Sequence, residues 1–433
     1  MKYISTRSPH RSFTLREAAR LGLAPDGGLF MPERIPQVSL DTVQTLAAES
    51  YNALAAYLAD LFFGDDLPSA QIEQAVAQAY DFAPRLASFD ERLHTLELFH
   101  GPTFAFKDFG ARFMGSMLGL LNDSDRELII LTATSGDTGS AVAGGFHDVP
   151  GTKVVLLYPS GRVSPLQESQ MTTLGGNVHP LKIDGSFDDC QRMAKTVFAD
   201  TDFCRRHGIT SANSINLLRW LPQSFYYFYG WYLWSRATGR AEPPTIAVPS
   251  GNYGNLSAGM LAARMGLPVK RFIAASNAND VVPEFLRTRE YRPRPSIRTL
   301  ANAMDVGDPS NFERMMALCG AEFDRLWAQV RGFSASDYRI RKAIAEIYDR
   351  FGYLSDPHSA VGYLAMKSRP AAHGFWLSTA HEAKFREVLQ EALPAEAIPH
   401  ALPPALEEHM RLPRVFDTMG PDADQLKAFL QGI

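Results

Sequence analysis

An α/β protein, with a parallel sheet covered by helices on both faces, is the architecture this 433-residue chain predicts. Three observations carry that expectation. From about residue 95 onward, short apolar runs of strand length alternate with amphipathic stretches of helical period. The polar turns SGDTG and SGNYGN each follow such a run and open a helix, and STAHEA marks a third strand-end loop. The length also exceeds one ordinary hydrophobic core, so two or three domains are expected.

The first hundred residues read mostly as helices. DGGLFMP (26–32) is a turn followed by a short extended piece. LDTVQTLAAESYNALAAYLADLFFG and SAQIEQAVAQAYDF then carry apolar residues at helical spacing. Beyond them the elements follow in order. ELIILTAT (127–134), KVVLLYP (153–159), VHPLKID (178–184), PTIAVPS (244–250) and VKRFIAAS (269–276) read as strands. SPLQESQMTTLG (164–175), FDDCQRMAKTVFAD (187–200) and LSAGMLAARMG read as helices between them. The proline-rich tail LPAEAIPHALPPALEEHMRLPRVFD reads as irregular chain before a last short helix.

Composition narrows the function classes. Hydrophobic residues at 45% and charged residues at 21% suit a folded globular chain rather than a disordered one. With 43 basic against 47 acidic residues and no basic run, nucleic acid is not the expected partner. Cys190, Cys204 and Cys319 fit neither a disulfide framework nor a zinc site and read as free thiols, so no metal is expected. The N-terminus MKYISTRSPHRSFT lacks an apolar signal core. The apolar stretch LPQSFYYFYGWYLW (221–234) falls short of the roughly 20 residues that span a bilayer. It reads as a helix packed in a core or a subunit interface, and the cytoplasm is the expected compartment.

Three stretches are candidates for chemistry. VPSGNYGN (248–255) joins a strand to a helix, where glycines permit close backbone approach and a helix N-terminus offers unpaired N–H groups to an anion. It matches neither the Walker A loop nor the dinucleotide fingerprint. Phosphate cradle and ligand-free turn are both open for it. TATSGDTGSAV (132–142) has the same layout, and its Ser, Asp and Thr residues serve equally as ligand donors or as helix caps. In HGPTFAFKDFG (100–110), apolar residues at 106, 109, 113, 117, 120 and 121 form one helical face, which puts Lys107 in or before the first turn. Desolvation and a helix N-terminus would lower its pKa and favour Schiff-base chemistry; a solvated surface lysine is the other reading. A carbonyl-seeking lysine, a phosphate cradle and a second polar loop together suit pyridoxal phosphate.

In family order, the segments STR (5–7), DGGLFMP (26–32), HGPTFAFKDFG (100–110), TSGDTGSA (134–141), SPLQESQM (164–171), NSIN (213–216), PSGNYGN (249–255), DPHSA (356–360) and STAHEAKF (378–385) resemble threonine synthase in its longer bacterial and fungal form. The resemblance implies an α/β fold of fold type II, like the tryptophan synthase β chain. In it a three-layer parallel sheet carries a nested smaller α/β domain and a mainly helical N-terminal domain. The implied boundaries are 1–95 for the helical domain, 96–390 for the catalytic core, with the nested part at about 130–205, and 391–433 for the C-terminal extension.

It further implies pyridoxal 5'-phosphate as cofactor and conversion of O-phospho-L-homoserine and water into L-threonine and phosphate, by a monomer or homodimer. Lys107 matches the Schiff-base lysine and proton shuttle. Gly251, Asn252, Tyr253, Gly254 and Asn255 match the cofactor phosphate loop. Thr379 matches the hydroxyl beside the pyridine nitrogen, with Ser378 adjacent. Asp137 stands where many relatives carry an asparagine facing the cofactor's 3-hydroxyl, and an aspartate there is expected to be protonated or turned away. For the substrate phosphate the candidates are Ser135, Thr138, Asn216 and Arg219, with Arg112 and Arg162 as alternative cations. Asp108 caps the helix or tunes the lysine. DPHS is expected as a loop near the site rather than a triad, and His381 as a satisfied hydrogen-bonding residue. Two other classes stand beside this one: a phospho-lyase or serine/threonine dehydratase on the same fold, and a non-catalytic binding relative.

Overall fold

The computed structural model describes residues 1–122, 127–161 and 163–433. Two parallel sheets organise them. One has five strands, edge to edge Asp417–Met419, Val178–Ile183, Thr152–Pro159, Leu128–Ala133 and Ile209–Ser211, every pair parallel. The other has six, Val330–Ser334, Arg271–Ser276, Thr245–Pro249, Gly374–Ser378, Leu93–Glu97 and Arg85–Ser88, parallel except for the last pair. A small antiparallel sheet joins Ser12–Phe13, Tyr3–Ser5 and Phe30–Pro32 near the N-terminus. Strands such as Leu128–Ala133 and Thr245–Pro249 are buried along their whole length. Burial on both faces is why they read as unbroken apolar runs rather than alternating ones.

The aromatic stretch forms the helix Phe225–Thr238 and packs in the largest core with Tyr51, Phe109 and Phe113, so the core reading holds for it. The first long helical run is two helices, Leu40–Glu49 and Tyr51–Phe63. Ser50 breaks it in an extended conformation and caps the second helix through its hydroxyl. The tail is more ordered than expected. It holds the helix Pro404–Arg411, then the edge strand Asp417–Met419, then the helix Ala423–Gly432, whose Leu426 and Leu430 pack on the five-stranded sheet. Too few residues separate the prolines there to give a periodic signal, and the edge strand is defined by its pairing with Val178–Ile183. Among the described residues no helix is long and apolar enough to cross a membrane, and no cluster of His, Cys, Asp and Glu is placed to hold a metal.

One packing feature sets the stage for the site. The helices Lys107–Leu121 and Asp137–Phe146 cross backbone to backbone: a Cβ on Gly115 would lie 2.1 Å from the Gly145 carbonyl oxygen, and one on Gly145 2.8 Å from the Ala111 carbonyl carbon. Only residues without a side chain allow this approach. Lys107 and Asp137 are the first residues of this helix pair, and their side chains face each other.

Candidate functional site

A cleft of 2910 Å³ opens at the carboxyl ends of the parallel strands, where ligands bind in open α/β sheets. Lys107, Asp137, Arg219, Thr379, Lys384 and the loop Gly251–Asn255 line it.

Lys107 is held from behind. Phe106 N–H donates to the Thr379 carbonyl at 2.8 Å, and Ala105 pairs with Ala380. The lysine side chain is 15% exposed, with Nζ 5.6 Å from the Phe106 ring centroid and 3.8 Å from Asp137 Oδ2. Burial pulls its pKa down to about 8; Asp137 opposes that fall, and Lys384 and Arg219 add to it. The side chain lies on the cleft wall and is mostly covered, rather than extended into solvent as a surface lysine.

Asp108 faces away from the lysine. Its carboxylate accepts from the Thr103 N–H at 2.9 Å and the Thr103 hydroxyl at 2.6 Å, folding residues 103–108 into a tight turn. Burial raises it to about 6, against those two bonds.

Asp137 differs from expectation. It is neither protonated nor turned away. Its Oδ1 accepts from Lys384 Nζ at 2.7 Å and from Gln167 Nε2 at 2.8 Å, while Oδ2 faces Lys107. Burial would raise this carboxyl, but the Lys384 and Lys107 ammonium groups outweigh it and hold it well below the usual carboxylate range.

The loop Gly251–Asn255 presents backbone rather than side chains. Asn252 is spent on Ser214 Oγ at 2.7 Å and the Ser310 N–H at 2.6 Å, and Asn255 on the Pro249 carbonyl and the Leu256 N–H. Tyr253, at φ 59°, sends its hydroxyl to Ser276 Oγ at 2.5 Å. The N–H groups of residues 251–255 meet no acceptor among the described residues, and they sit at the start of the helix Gly254–Arg264. Such a set of free donors at a positive helix end fits a phosphate dianion. A Cβ on Gly251 would lie 2.6 Å from Met304 Cα. Gly251→Ala is therefore expected to weaken cofactor retention about tenfold or more by displacing the loop, checked by equilibrium dialysis against pyridoxal phosphate.

The two neighbouring hydroxyls separate cleanly. Ser378 Oγ is bonded to Thr95 Oγ1 at 2.8 Å inside the sheet, whereas Thr379 lines the cleft. The DPHS segment positions Thr379: Asp356 accepts from the Ser359 hydroxyl, which accepts from the Thr379 N–H at 3.0 Å. His358 bonds Asp356 Oδ1 at 2.8 Å through Nδ1 and accepts from the Ala303 N–H at 3.1 Å through Nε2. Ser359 does not meet His358, so no triad forms. His381 likewise caps Ala383.

Of the substrate candidates, Ser135, Thr138 and Arg219 line the cleft. Arg219 is 5% exposed, donates to the Ala212 carbonyl, and forms no ion pair with a carboxylate among the described residues. Burial lowers it to about 10, Asp108 opposing. Two candidates lie elsewhere. Asn216 caps the Leu218 N–H and binds the Ala19 and Ser211 carbonyls in the core. Arg112 is turned to the outer side of its helix, onto the Ala79 and Gln78 carbonyls and Asp81. Arg162 lies outside the described residues. Lys384 is the member of the site that motif reading missed. It sat inside STAHEAKF without a visible partner, because that partner, Asp137, belongs to a distant strand-end loop.

Three family descriptions match: "Threonine synthase N terminus" over residues 2–80, "Pyridoxal-phosphate dependent enzyme" over 83–374, and "Threonine synthase, C-terminal" over 359–430. The chain is 40% identical to the threonine synthase of Escherichia coli (strain K12), with 99% of each chain covered. It belongs to the threonine synthase family. Among solved structures, the family's Escherichia coli member superposes with a TM-score of 0.91 at 38% identity, covering 100% of both chains. The pyridoxal-phosphate-bound member from Brucella melitensis gives 0.92 at 32%, covering 100% and 99%. Maize serine racemase, at 17% identity and a TM-score of 0.54, shares the fold alone. The fold is therefore fold type II of the pyridoxal-phosphate enzymes, and the cofactor is pyridoxal phosphate.

Proposed function

We infer that this chain is a threonine synthase, converting O-phospho-L-homoserine and water into L-threonine and phosphate. The carrying observation is one buried amine, Lys107, facing a cleft that also holds an unpaired N–H cradle and a buried arginine free of carboxylate partners. The cofactor phosphate would lie on the N–H groups of residues 251–255, its carbonyl carbon would bond Lys107, and the Thr379 hydroxyl would face the ring nitrogen. When bound, pyridoxal phosphate supplies an electron sink for the carbanions formed next to the substrate amine.

The chain's own residues do the rest. Lys107 Nζ would take protons from the α and β carbons of the substrate and return them at the α and γ carbons. Arg219, with Ser135 and Thr138, receives the leaving phosphate. Desolvation of the lysine enlarges the uncharged fraction of the amine for that task. The reading also has it act in the cytoplasm, as monomer or homodimer, on these small molecules. Residues 1–95, 96–390 and 391–433 are the proposed domains.

The test supplies O-phospho-L-homoserine to the holoenzyme. Threonine and phosphate in equal amounts are the expected products. A ketoacid in place of threonine would make it a lyase or dehydratase on the same fold, and no turnover would favour the binding relative.

The pKa of Lys107 adds an expectation with a definite sign. A folded-state value of about 8 leaves about one tenth of the amine neutral at pH 7, against roughly one part in three thousand for an ordinary lysine. The rate of cofactor capture by the apoprotein should rise nearly tenfold per unit below pH 8 and level off above it, followed by visible absorbance. A rise continuing toward pH 10 would show an unperturbed lysine.

A further inference from the structure

Lys384 is a lysine with no exposed side-chain surface, and the reaction as derived above does not use it. Its Nζ makes two contacts, Asp137 Oδ1 at 2.7 Å and the Thr103 carbonyl at 2.8 Å. Both contacts sit on segments that flank Lys107. A buried ammonium is costly unless paired, so the pair with Asp137 is a fixed part of the site.

The arrangement of Asp137 shows what the pair does. Oδ1 is saturated by Lys384 and Gln167, while Oδ2, 3.8 Å from Lys107 Nζ, lies beyond hydrogen-bond reach of it. A carboxylate at this depth with no other cation would close onto Lys107. It would then hold that amine as an ammonium ion, which has no lone pair to attack a carbonyl. The charged groups that act on Lys107 are Asp137 and Asp356, which favour its charge, and Lys384 and Arg219, which oppose it. Of these cations only Lys384 is bonded to the carboxylate nearest the amine.

We propose that Lys384 is a positioning residue that engages the Asp137 carboxylate, keeps it from closing onto Lys107, and so leaves the Lys107 amine free to react. The proposal rests on the reading of Lys107 as the cofactor lysine, but it makes a claim about the amine that needs no cofactor.

The test titrates Lys107 in the full-length apoprotein by its rate of reductive methylation with formaldehyde across pH, located by peptide mass spectrometry. Lys384→Met is expected to raise the midpoint by at least about one pH unit, so that modification at pH 7.5 slows about tenfold. Lys384→Arg, which keeps the charge, stays close to wild type. In the Asp137→Asn background the increment from Lys384→Met shrinks to less than half, which separates action through the carboxylate from direct repulsion between two lysines. If Lys384→Met does not fold, Lys384→Gln serves, since its amide can still donate to the Thr103 carbonyl. An unchanged or lowered midpoint in the neutral variant overturns the proposal, as does an increment that persists undiminished in the Asp137→Asn background. Failure of wild-type protein to take up pyridoxal phosphate while the titration follows this pattern would instead overturn the cofactor reading and leave the role of Lys384 standing.

Discussion

Replacing Lys107 by alanine is expected to lower threonine formation at least about a thousandfold and to abolish the visible absorbance of the lysine-bound cofactor. The size follows from two tasks lost together. In the proposed mechanism the amine both anchors the cofactor and moves protons, and a second buried amine, Lys384, is bonded to Asp137 and the Thr103 carbonyl. Lys107→Arg should be as inactive, because a guanidinium stays protonated at any working pH. Thermal melting is the control. Lys107 is a buried cation whose Nζ lies beyond hydrogen-bond reach of Asp137, so its removal should not lower the melting temperature of the apoprotein. Steady-state assay with O-phospho-L-homoserine checks the claim, and activity within tenfold of wild type would remove Lys107 from the chemistry.

Arg219→Gln is expected to reduce kcat/KM for O-phospho-L-homoserine by about a hundredfold, as two charge-assisted hydrogen bonds of about 1.5–3 kcal/mol each are weakened. Its guanidinium is buried, unpaired with any carboxylate among the described residues, and on the cleft wall. Affinity for pyridoxal phosphate should change less than about threefold, because the cradle at residues 251–255 offers its own donors. The two affinities, measured side by side, decide the matter. A variant that loses cofactor but keeps its KM would place Arg219 on the cofactor instead of the substrate phosphate.

Five strands of the two parallel sheets, Leu128–Ala133, Thr152–Pro159, Val178–Ile183, Thr245–Pro249 and Arg271–Ser276, were legible because their burial is nearly complete, so that each is a short apolar run bounded by a turn; the short or more exposed strands Arg85–Ser88, Ile209–Ser211 and Val330–Ser334 were not read as strands. Nor was the edge strand Asp417–Met419. It is three residues long and half exposed, and its partner supplies the register. Ser378 and Thr379 show the same limit within a site. Adjacent strand residues point to opposite faces, and only the pairing of Gly374–Ser378 with Leu93–Glu97 tells which hydroxyl meets Thr95 and which meets the cleft.

Residue order alone was enough for the family, and it singled out Lys107 and the glycine loop as candidates, because each is a local pattern whose chemistry travels with its neighbours in the chain. The loop presents backbone N–H groups to the cleft, and a run of Gly, Asn and a left-handed Tyr253 encodes their geometry within five residues. Choosing among the cations needed the folded chain. Arg112 and Arg219 carry the same charge, yet the turn of one helix sends Arg112 outward to Ala79 while the close packing of Gly110 on the Arg219 backbone sets Arg219 against the cleft. The state of Asp137 needed it too. Whether a buried carboxylate is neutral or ionised depends on the charge brought beside it through space, and here that charge arrives on Lys384 from the far end of the chain.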